Sequence, residues 1–140
     1  KARATAAFLR ETMQRDMTGY FPYNITVESR SMPCWYLTAT SGAKKKLRTN
    51  GGGQHRSQTP AGIKLTNIPF YQLIRSIFEY NSAQPPIINN TEITYPIDIE
   101  LDTAMMDFDD VKDALSSQGL HLQRGRKEMK VIVVRDRKSN

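Results

Sequence analysis

Residues 42–62 read GAKKKLRTNGGGQHRSQTPAG. Lys44, Lys45, Lys46, Arg48 and Arg56 place five positive charges there and no negative one, around three consecutive glycines. Cations beside glycine are what a phosphate grip requires, because a backbone without Cβ atoms can approach an anion closely. The spacing fails that chemistry. A P-loop needs a Gly-Lys pair followed by Ser or Thr, and no such pair occurs. In a GxGxxG reading of GGGQHR the third glycine falls on Arg56, and no helix is expected to open there. Nucleic acid is disfavoured too, since the stretch holds no aromatic side chain for stacking. The stretch is therefore read as a flexible, solvated loop over 42–61. Lys44, Lys45, Lys46 and Arg48 are its candidate contacts to an anion or a partner.

Other residues able to do chemistry are scattered. Asp98, Glu100 and Asp102 alternate along an apolar strand pattern, as ligands of a hard cation would. A calcium loop beginning at Asp98 would need Gly and Glu where Thr103 and Asp109 stand, so a solvated strand face is expected. The single cysteine, Cys34, excludes an internal disulfide and a CxxC motif. It alternates with Trp35 and Leu37 and so is expected to be half exposed, an inert packing residue. Two histidines, His55 and His121, are too far apart in sequence to suggest a metal site, and no GxSxG elbow occurs. No catalytic residue, cofactor site or metal site is assigned.

These residues must be positioned by elements, and apolar spacing supplies three groups of them. Ala6, Leu9, Met13 and Met17 form a helical stripe, and two strands follow at 23–29 and 34–40. A second helix carries Phe70, Leu73, Ile74 and Ile77, capped by Asn67 with Pro69 in its first turn. Strands are expected at 86–89 and 93–101, the latter at a sheet edge because Pro96 cannot donate to a ladder. A third helix starts at the cap Asp107, buries Phe108, Val111 and Leu115, and ends at Gly119. A hairpin around 124–128 follows, with both faces of its last strand covered. The fold class is α+β: three helix-strand-strand (αββ) units, 1–41, 62–102 and 103–140, forming one domain of mostly antiparallel sheet with helices on one side.

The 140 residues carry a net charge of +6, unevenly spread. Glu92–Asp113 holds eight carboxylates and one lysine, and Arg124–Lys138 holds seven cations against two acids. No apolar run reaches the ~20 residues of a membrane-spanning helix. The chain opens at Lys1, which suggests a removed leader or a piece of a longer polypeptide.

Several blocks resemble an uncharacterised bacterial domain family first catalogued as soil-associated. MPCWYLTA is similar to its Pro-x-Tyr-x-Leu strand, with Pro33 and Leu37 matching and Trp35 in place of tyrosine. The following KKKL is similar to its Lys-Leu pair, with a Gly/Ser-rich insertion after it. QPPIINNTEITYPIDIEL resembles its Pro-Val-x-Asp-x-Thr-Gly block, with Pro86, Thr91, Asp98 and Leu101 fitting. Asn89 replaces an Asp there, Glu92 a Gly and Ile97 a Tyr. QGLHLQ and VIVVRD resemble the closing strands, with Arg135 for an Asp. The resemblance implies the C-terminal part of a longer, exported protein found alone or beside TlpA-type thioredoxin-like modules. It also implies a non-catalytic role in the cell envelope through contact with a protein partner. The competing expectation is an anionic polymer, nucleic acid included, on the basic loop.

Overall fold

A computed structural model describes residues 23–136. The helix expected over 6–17 lies outside the described residues. The chain divides into a smaller unit, Lys1–Met32 with Lys127–Asn140, and a larger one, Pro33–Arg126.

The described elements are β1 (Tyr23–Ala39), α1 (Ser41–Leu47), β2 (His55–Thr59), β3 (Gly62–Ile68), α2 (Tyr71–Tyr80), β4 (Ile87–Asn89), β5 (Ile97–Asp102), α3 (Phe108–Ser117) and β6 (Leu120–Asp136). The protein is α+β, with two three-stranded, mostly antiparallel sheets in the orders β4-β1-β6 and β2-β3-β5. β1 and β4 run parallel, Trp35 opposite Ile87 and Leu37 opposite Asn89. A helix-strand-strand order recurs at α1-β2-β3, across the expected loop, and at α2-β4-β5, inside the expected 62–102, but α3 is followed by the single described strand β6, so the arrangement of three αββ units is not reproduced.

Three differences stand out from the expected elements. First, β1 and β6 are each single strands of 17 residues where the sequence suggested paired shorter ones. Gly125, read as a turn residue, lies mid-strand under an aromatic ring. A Cβ there would sit 2.5 Å from Tyr36 Cε2. Its role is close approach, and the Tyr36 hydroxyl donates to the Arg126 carbonyl at 3.2 Å. The far half of β6 is not covered on both faces, since Ile132 and Val134 are exposed.

Second, 42–61 is not a plain loop. Thr40 caps α1, its Oγ1 accepting from the Ala43 N–H at 3.1 Å, and Ala43 and Leu47, four apart, face the core. β2 and β3 then form an antiparallel hairpin with Ser57 opposite Lys64. β2 reads HRSQT and offers no apolar alternation, so sequence pattern had nothing to detect. It is held by its ladder and by a polar chain: Arg56 and Gln58 both bond the buried Ser76 on α2, and Gln58 donates to Glu79 at 2.7 Å.

Third, Asn67 caps no helix. It adopts φ 52° at the end of β3, and α2 starts at Tyr71 without a side-chain cap.

Other expectations agree with the structure. Leu73 and Ile77 are buried on α2, and Asp107 Oδ1 caps α3 through the Asp109 and Asp110 N–H groups. Gly119 is left-handed, with φ 83°. β5 is an edge strand as expected, but it is shorter than 93–101: it opens at Ile97, after Pro96, and 93–96 is not strand. One core, including Leu37, Leu65, Leu73, Ile97, Met105 and Leu115, serves the larger unit. Among the described residues no helix is long and apolar enough to cross a membrane.

Candidate functional site

The four basic residues singled out from sequence stand on or just after α1, and packing divides them. Lys44 pairs with Glu92, Nζ to Oε2 at 3.6 Å. The Arg48 guanidinium lies 3.9 Å from the Tyr95 ring centre, a cation–π contact, while the Tyr95 hydroxyl donates to the Lys44 carbonyl. Lys45 and Lys46 are exposed, and no described residue pairs with them. Arg56 is elsewhere, on β2, bonding Gln72, Gln58 and Ser76. The cluster of five is thus two free lysines and three engaged cations.

Asp98 turns out to organise the glycine segment. Its carboxylate accepts from Thr49 Oγ1 at 2.7 Å, from the Asn67 N–H at 2.8 Å and from the Asn50 N–H at 3.2 Å. Bonds from Thr49 first, then from the two backbone groups, hold its pKa below the usual aspartate value. Asn67 Nδ2 donates to the Gly52 carbonyl at 2.7 Å, fixing the segment from the other side. Gly51 and Gly52 take positive φ, which the three-glycine run permits. Asp98 therefore does not join Glu100 and Asp102 in a cation site. Glu100 lies across the ladder from Lys64.

Cys34 corrects its expectation outright: it is 2% exposed, not half exposed. Its neighbour is Tyr36, whose phenol is pushed up by burial and by its hydrogen bond with Cys34. Both faces of β1 are covered at this point, which alternation alone could not reveal. His121 is exposed, 3.5 Å from Ser116 Oγ.

Two features were missed from sequence. α2 buries Leu73, Ser76 and Ile77 and turns Tyr71 and Phe78 outward, 60% and 45% exposed. Seven residues separate them, so they share one face two turns apart, with Arg75 between. That spacing was visible in the sequence beside the buried stripe. The second feature is a groove of about 700 Å³ between the end of α2 and the start of α3. Tyr80 and Asn81 line one wall, Met106, Phe108 and Asp109 the other. Its walls come from two connections distant in sequence, so no local pattern announces it.

The chain matches no family model, no curated protein and no solved structure.

With that, the site is defined by its own chemistry. Asn81 Nδ2 donates to the carbonyls of Ile77 at 3.0 Å and Met105 at 2.9 Å, tying both groove walls together. Met106 stands 73% exposed at the rim. Trp35 on β1 is buried, with Phe108 at 5.4 Å between ring centres and Lys112 and Arg124 over its ring.

Proposed function

We propose that the chain is a non-catalytic accessory module that works by contacting a partner protein or positioning a neighbouring domain. The observation that carries this reading is the outward face of α2. Tyr71 and Phe78 stand about 10 Å apart along the helix at 1.5 Å per residue. Arg75 lies between them, its guanidinium Nε 3.4 Å from Glu79. Large aromatics with an arginine are the composition that dominates binding energy at protein interfaces. The polar groups inside the larger unit are engaged in holding it together: Ser76, Asn81 and Thr91 are buried and each is hydrogen-bonded. Burial of Cys34 weighs against its use as a nucleophile.

The resemblance to the soil-associated domains supports placing the module in the cell envelope, beside a thioredoxin-like domain. A photo-crosslinking residue at Phe78, compared with one at the exposed Lys64, tests the contact in cells that make the protein. Adducts to another protein are expected at 78 and not at 64. Equal yields at both positions, or robust turnover of thiols or peptides by the purified chain, would sink the reading.

A second reading is an anionic polymer on α1, favoured by the two free lysines. Lys45→Ser with Lys46→Ser should then flatten the salt dependence by about two counterions.

A further inference from the structure

We propose that the groove between α2 and α3 is the docking site for a segment of a partner protein in which a lysine or arginine sits beside a large apolar side chain. The inference deepens the protein-contact reading and rests on it.

Three observations converge on that occupant. Charge is the first. The groove is lined by Asp107 and Asp109 and by no cation, in a chain whose net charge is +6. Asp110 and Asp113 add carboxylates along α3, and the nearby cations Lys112 and Arg124 are engaged over the Trp35 ring. The same geometry disfavours an anion: the N–H groups of Asp109 and Asp110 already donate to Asp107 Oδ1 at 3.0 and 3.2 Å, which leaves these two helix-start donors engaged beside exposed carboxylates. A cation is what this rim attracts.

The second is an unused acceptor. Asn81 is 8% exposed and lines the groove. Both its donated bonds are made, to Ile77 and Met105, yet among the described residues its Oδ1 accepts none. A buried amide oxygen without a donor costs free energy that an incoming N–H would recover. The third is apolar surface. Met106 projects at the rim, and Tyr80 and Phe108 are half-buried in the walls. Methionine adapts to varied apolar side chains. The Asn81 bridge between the walls fixes their spacing, so the groove exists before anything binds.

The test uses the whole chain, uniformly labelled with nitrogen-15, and two acetylated peptide amides: LKFRL and its acidic counterpart LEFEL. LKFRL should give saturable shifts at Ser82, Ala83 and Met106, weakening as salt rises. Asp109→Lys and Met106→Ser, both at exposed positions, should each weaken it at least about fivefold while circular dichroism stays unchanged. No shifts at millimolar LKFRL would overturn the proposal. So would equal binding of LEFEL, variants that bind like the parent, or shifts mapping outside the groove. Concentration-dependent self-association through these residues would overturn it as well, by making a second copy the occupant. Loss of this binding with crosslinking at Phe78 intact removes only the groove assignment. Loss of both removes the contact reading itself.

Discussion

At Glu92 the backbone is left-handed, φ 63°, and the side chain is 83% exposed. A non-glycine residue in that region costs about 1–2 kcal/mol. Its gain is a surface ion pair with Lys44, worth less than about 1 kcal/mol. Glu92→Gly is therefore expected to raise stability by up to about 1 kcal/mol after the glycine's extra unfolded-state freedom is subtracted. A urea titration showing a lower midpoint would contradict this.

Asp98 gives a pH prediction at the same scale. Its folded pKa is lowered by the bonds from Thr49, Asn67 and Asn50. Its stabilisation is then fully present above the unfolded value of about 3.9 and is lost as pH falls through the folded one. Asp98→Asn should melt below the parent at pH 7, with the gap closing as the pH drops under about 4. A gap that persists unchanged at low pH would exclude this origin. Sequence placed Asp98 on the polar face of its strand. It could not show that Thr49 and Asn67, both distant along the chain, would converge on the carboxylate.

Among elements, α2 and α3 were readable because their stripes and the Asp107 cap are local signals. Leu73 is fully buried on α2, so Leu73→Ala should cost about 2–5 kcal/mol by thermal or chemical denaturation. The end of α3 offers a finer test. At Gly119 a Cβ would lie 2.7 Å from both Ala43 Cβ and Thr40 Oγ1, at φ 83°. Gly119→Ala should destabilise by more than about 1 kcal/mol, beyond what helix propensity alone would give. β2 was illegible for the opposite reason. Its five residues are polar, and its partner β3 and the Ser76 network on α2 hold it in place. The long strand β6 was misjudged through Gly125, because a glycine that admits a ring has the same letter as one that makes a turn.

For the whole molecule, the +6 charge governs nonspecific adsorption more than it marks a site. Lys45→Ser with Lys46→Ser should shift elution from a cation exchanger no further than Lys127→Ser with Lys130→Ser. A much larger shift for the first pair would favour the second reading over the contact module. The α+β class followed from alternation and helical stripes. The mixed sheet with β1 beside β4 did not, because strand order depends on contacts distant along the chain.

Trp35 is the chain's one tryptophan, and it belongs to the larger unit, 7% exposed and pressed against Phe108. Intrinsic fluorescence excited at the indole band consequently comes from that unit alone. Its red shift on denaturation follows the melting of residues 33–126 without added dye, while far-ultraviolet dichroism sums over both units.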